Sequence, residues 1–180
     1  MEKTNRNAAE LWERAVDFHG HSCGGLMIGY KVSLYAMELL ELDFSDDEEI
    51  VCVAENDACG IDAVQAILGC SVGKGNLLFR LRGKQAFSFY NRKTGKSVRL
   101  VLKETTDMPR EEKFAYMQKT DPKELFEVKE TTIALPESAR IFQSYHCDVC
   151  GERTMESMLR LEGEKKVCLD CYQSYSRFDV

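Results

Sequence analysis

The sequence predicts a core of helices and β-strands followed by a small metal-stapled finger. Three observations carry this. Two apolar-periodic stretches lie near the N-terminus, a run of short β-rich segments follows, and two CxxC pairs sit near the C-terminus. At 180 residues, the chain is long enough for one core of ~100–150 residues plus an appendage.

Residues 7–18 place Ala8, Leu11, Trp12, Ala15, Val16 and Phe18 near one face at spacings of three and four, predicting an amphipathic helix. Residues 26–42 are apolar almost all round. Such a helix is buried or lies in a subunit face, so a homodimer is expected. Ile50–Glu55 reads as an interior strand, and 59–68 as a helix stopped by Gly69. Residues 77–81, 86–90 and 98–102, with turns at 82–84 and 91–96, predict an antiparallel meander. Residues 109–127 read as two short helices with Pro109 and Pro122 near their starts, and 128–135 as a further strand. Pro136 marks the boundary between a core at 1–135 and a finger at 136–180.

Composition narrows the function. A 44% hydrophobic and 30% charged chain is ordinary for a globular protein. No apolar run approaches the ~20 residues of a membrane span. The Met1–Arg6 start has no apolar signal core, so a cytoplasmic location is expected. Net charge is −6 with no basic cluster, which argues against nucleic acid as a partner. In a reducing compartment, eight cysteines are more often metal ligands or reactive thiols than disulfides.

Cys147-x-x-Cys150 and Cys168-x-x-Cys171 supply four thiolates, with 17 residues between the pairs. That set closes a tetrahedral structural zinc site with no open position. Gly151 suits a knuckle, residues 155–167 a hairpin and 168–177 a helix, the order of a treble clef or zinc ribbon. Residues 140–180 hold six Lys/Arg and seven Asp/Glu, so packing or docking is favoured over DNA binding.

The second constellation is Phe18-His19-Gly20-His21-Ser22-Cys23-Gly24-Gly25. His19, His21 and Cys23 alternate, so an extended segment would project them to one side. Cys23 also precedes a helix, whose positive end favours thiolate. Thiolate with imidazole suits a late transition metal, and a further ligand must come from elsewhere. Cys59, between a predicted strand and helix, is the best candidate, with Asp57 and Asp62 as hydrogen-bonding supports. His19 alone could equally be a capping histidine, and Cys52 reads as plain core. Gly73-Lys74-Gly75 lacks P-loop spacing and reads as a turn.

The His/Cys stretch resembles the signature of the FmdE family, named for a component of formylmethanofuran dehydrogenase. The resemblance continues through Cys59–Gln65, Gly69–Asn76 and Gly83–Phe87, and the CxxC pairs match longer members with an appended zinc finger. Where the family commonly has Pro after the cysteine, this chain has Gly24. The resemblance implies an α+β core with a mixed sheet flanked by helices, and a treble-clef finger. It implies a site with His19, His21, Cys23 and Cys59 as catalytic residues, and His21, Cys23 and Cys59 holding a second metal besides the structural zinc. Cys70 and Lys74 would line the cleft and bind a cofactor or anionic ligand. It further implies a link to molybdenum- or tungsten-dependent enzymes of anaerobic one-carbon metabolism. Two rival readings stand beside it: a non-catalytic adaptor docking a partner enzyme through the finger, and a thiol–disulfide protein using Cys23 with Cys59 or Cys70.

Overall fold

The computed structural model describes residues 7–104, 108–175, 177 and 178. The signal-free start expected at Met1–Arg6 lies outside the described residues, as does Ser176 of the helix expected at 168–177. The chain divides after Ala139 into two compact units.

The first unit is α+β. Five helices, α1 (Ala8–His19), α2 (Gly24–Leu40), α3 (Gly60–Leu68), α4 (Arg110–Lys119) and α5 (Pro122–Leu125), accompany a five-stranded sheet. Its strands are β1 (Ile50–Ala54), β2 (Leu77–Phe79), β3 (Ala86–Asn91), β4 (Ser97–Leu102) and β5 (Phe126–Lys129). Their spatial order is β2-β1-β3-β4-β5.

The sheet is mixed because β2 pairs parallel to β1, while the other pairings are antiparallel. This corrects the meander expected over 77–102, since β2 does not touch β3. The segment after β2 crosses the end of β1 instead of making a hairpin. The amides of Arg82 and Lys84 donate to the Glu55 carbonyl, and Asn56 Nδ2 donates to the Lys84 carbonyl. The chain therefore enters β3 on the far side of β1. Residues 126–129 form β5 where a helix end was expected. The following stretch carries Ile133 over Val51, Val53 and Tyr90 on the outer sheet face. Every residue of β1 is buried, as expected for a strand covered on both faces.

On the inner face, Cys52, Phe87, Phe89, Leu100 and Phe126 meet the helices. Helix α2 runs through the centre, packed by α1, α3, α4, α5, β3 and β4. Its apolar circumference, the reason a subunit face was expected, is thus covered within the chain, with ten of its residues buried. The buried Lys31 is satisfied by the Gln118 and Thr120 carbonyls at 3.0 and 2.8 Å, which caps the end of α4.

Helices α2 and α3 cross backbone on backbone. A Cβ at Gly29 would overlap the Gly60 carbonyl oxygen and lie 2.5 Å from Gly60 Cα. Only glycine permits this approach, which brings the N-termini of α2 and α3 together.

The second unit contains two hairpins: β6 (Ser144–His146) with β7 (Arg153–Met155), and β8 (Leu159–Glu162) with β9 (Lys165–Cys168). The expected hairpin over 155–167 begins only at Leu159, because Met155 ends β7. The helix expected at 168–177 is not formed. Residues 169–171 turn back on the Cys168 carbonyl, and 172–175 have no regular structure. The buried core of this unit is Val167 with Cys147 and Cys168, too little to hold ~40 residues without a metal.

Candidate metal centres

In the finger, the four Sγ atoms of Cys147, Cys150, Cys168 and Cys171 lie within 4.8 Å of one another. Tetrahedral zinc with ~2.3 Å bonds places its sulfurs ~3.8 Å apart, and Cys150 Sγ is 3.9 Å from Cys168 Sγ. The knuckle amides of Cys150, Cys168 and Val149 bring the Cys147 thiol down to about 6. The crowd of thiols, Cys168 first, raises Cys171 to about 12, a repulsion that a divalent cation reverses. Donor number, chemistry and spacing fit zinc.

The first unit assembles the second cluster at the α1–α2 junction. His19 is the last residue of α1, and Gly20 turns left-handed at φ 87° as its C-cap. That turn brings the His21 ring back to 4.4 Å from the His19 ring, centre to centre. Cys23 is the N-cap of α2, its Sγ accepting from Leu26 N at 3.3 Å. A helix end, a left-handed turn and a helix start therefore gather these side chains, in place of the extended segment expected.

The donor atoms of His19, His21 and Cys23 lie within 4.8 Å of one another. Cys23 Sγ is 3.8 Å from His19 Nε2, against ~3.6 Å for sulfur and nitrogen on one tetrahedral zinc. Asp62, in the first turn of α3, holds His19 Nδ1 at 2.7 Å, leaving Nε2 for a metal in the usual carboxylate–histidine arrangement. That bond is the main cause of the raised His19 pKa. Burial pushes the Cys23 thiol up, but bonds from the Leu26 amide, Cys59 and His19 outweigh it and leave it lowered. Two imidazoles and a thiolate fit a transition metal with a free position.

Cys59 occupies the N-cap position of α3 without capping it. It is exposed, and a Cβ at Gly25 would lie 3.5 Å from its Sγ. It neighbours Cys23 but stands outside the grouped donors, so the structure gathers His19, not Cys59, with His21 and Cys23. Asp57 is exposed, and Asp62 is the supporting carboxylate.

Cys70 and Lys74 do not line this cleft. Cys70 is fully buried, its thiol on the Ile50 carbonyl and raised by burial to about 12. Lys74 Nζ donates to the Ser45 carbonyl at 2.7 Å, tying down the α2–β1 connection. Cys52 is core, as its strand pattern indicates.

A cavity of about 500 Å³ opens at the cluster, lined by His21, Ser22, Cys23 and Gly24 and, from α4, Glu111 and Phe114. The sequence pattern did not single out Glu111 and Phe114, because α4 has little apolar contrast. The available signal was their three-residue spacing in line with Met117.

An α+β core with a His/Cys cluster at a glycine-crossed helix pair, followed by a four-cysteine zinc finger, defines the class of protein. The chain belongs to the FmdE family: residues 18–144 match the model described as FmdE, Molybdenum formylmethanofuran dehydrogenase operon. Residues 140–177 match the prokaryotic dksA/traR C4-type zinc finger. A tungsten formylmethanofuran dehydrogenase FmdE-like protein from Syntrophus aciditrophicus superposes with a TM-score of 0.64, covering 94% of both chains at 23% identity. A probable S-adenosyl-L-methionine-binding protein of Archaeoglobus fulgidus is 28% identical over 90% of this chain. The chain spans about half of that relative's length, 52%.

Proposed function

We propose that the core is a metal-dependent module serving molybdenum- or tungsten-dependent one-carbon metabolism of the formylmethanofuran dehydrogenase kind. His19, His21 and Cys23 hold a transition metal, and Cys59 stands ready as a further thiolate. The observation that carries this is the Asp62–His19 bond of 2.7 Å with Cys23 Sγ 3.8 Å from the opposite ring nitrogen. When bound, such a metal with an open position supplies Lewis-acid polarisation or an activated water. Asp62 fixes the His19 tautomer, and the α2 amide at Leu26 supports the Cys23 thiolate. Metal analysis of the full chain purified without added metal tests the reading. Two equivalents are expected, falling to one in a His19→Ala/Cys23→Ser variant; a content unchanged by that variant overturns it.

A second reading, an adaptor docking a partner enzyme through the finger, is favoured by apolar side chains on the finger's surface. Leu161 is 72% exposed, and Met155, Met158 and Leu169 are exposed with it. Its test is a pull-down from the host with Leu161→Glu in the full chain. An unchanged set of captured proteins overturns it.

A further inference from the structure

Helix α4 brings a carboxylate and an aromatic ring to the cavity. Met117, 2% exposed, and the partly buried Phe114 form its inward row. Glu111, one turn towards the N-terminus and exposed, lines the cavity with Phe114. The rest of α4 is held firmly. Lys31 caps its end, and the Phe114 ring lies 6.4 Å from Trp12. Glu111 and Glu112 are both exposed, but of the two it is Glu111 that lines the cavity.

We propose that Glu111 and Phe114 form a recognition site for a small organic cation, with its charge on the Glu111 carboxylate and its apolar body on the Phe114 ring. This deepens, and rests on, the metal-centre reading: the same ligand presents its other end to the His21/Cys23 side of the cavity. A carboxylate and an aromatic face one helical turn apart attract ammonium and sulfonium groups by charge and by the ring's quadrupole. They repel anions. A cavity of about 500 Å³ lies in the range of small-molecule sites.

Trp12 is the only tryptophan, and its place beside Phe114 makes its emission a reporter. The full zinc-loaded chain is titrated with 2-phenylethylammonium and dimethyl(2-phenylethyl)sulfonium. The control is the similarly shaped, uncharged 2-phenylethanol. Expected is binding of at least one cation about tenfold or more tighter than the alcohol. The preferred cation distinguishes an amine from a sulfonium source. Glu111→Gln abolishes the preference while zinc content stays unchanged, and Phe114→Ala weakens every probe. Equal binding of cation and alcohol, or absence of saturable cation binding, overturns the proposal. Loss of core zinc in Glu111→Gln also overturns it, making Glu111 a metal ligand instead. Cys23→Ser separates the two readings: a cation preference persisting there, with core zinc present in neither protein, sinks the metal centre and leaves the cation site standing.

Discussion

The two cysteine-bearing clusters are built on opposite plans. In the finger, all four donors lie within 25 residues of sequence, and the folded unit has almost no core besides them. In the first unit, the donors sit on the ends of helices already fixed by a full hydrophobic core. A metal held there would add to a finished structure, whereas in the finger metal makes the structure. The same ligand chemistry can thus be a folding device or a reactive one, depending on what else holds the backbone.

Breaking this contrast gives the largest effect first. Chelation, or Cys147→Ser, should unfold residues 140–175, because zinc supplies ~10–16 kcal/mol of folding free energy in such units. Circular dichroism and proteolysis should show the finger lost and the first unit intact. Equal loss of both units would contradict the contrast.

Next in size, Gly29→Ala should cost about 3 kcal/mol in urea unfolding followed by Trp12. The new methyl meets Gly60 backbone that cannot yield. A neutral or stabilising result, as at an ordinary helical glycine, would refute the close crossing.

A third expectation concerns Asp62→Asn. It should weaken metal binding at the first-unit cluster about 10–100-fold with little change in stability, read by competition with a chromophoric chelator.

The smallest effect is electrostatic. The Glu49 carboxylate is held down to about 2 by backbone amides, first its own, and by the Ser45 hydroxyl. A depressed folded value gives stability that is present above the ordinary 4.5 and lost as pH falls from there to about 2. Its partial exposure limits this to about 1–2 kcal/mol. Glu49→Gln should therefore be less stable at neutral pH and converge with the parent protein near pH 2.

The finger's ligands were legible because Cys-x-x-Cys is a local constraint, and the helices at 8–19 and 24–40 because their apolar period is strong. The partner of β2 was not. Leu77-Leu78-Phe79 looks the same beside β3 as beside β1, and the choice is made by hydrogen bonds from 82–84 to Glu55. The His19, His21 and Cys23 cluster could be located but not assembled. Spacing suggested an extended segment, while the actual device is Gly20 at φ 87°. Cys70 and Lys74 lie in a stretch that matched the family signature, yet one is sealed in the core and the other braces a loop. Nothing local to position 111 says that it faces a cavity, since that depends on α4 docking against α2 through Met117 and Lys31.

The bare-backbone crossing of Gly29 and Gly60 also has a dynamic consequence. Side chains between helices act as bearings, allowing small shear by rotamer exchange. At the Gly29–Gly60 contact there are none, so α2 and α3 are tied together at that point, which holds the separation of Cys23 and Asp62 through thermal motion. Breathing at the cavity mouth then falls to α4, whose anchors lie towards its far end. Amide hydrogen exchange should be slow at the crossing and fastest in the first turn of α4.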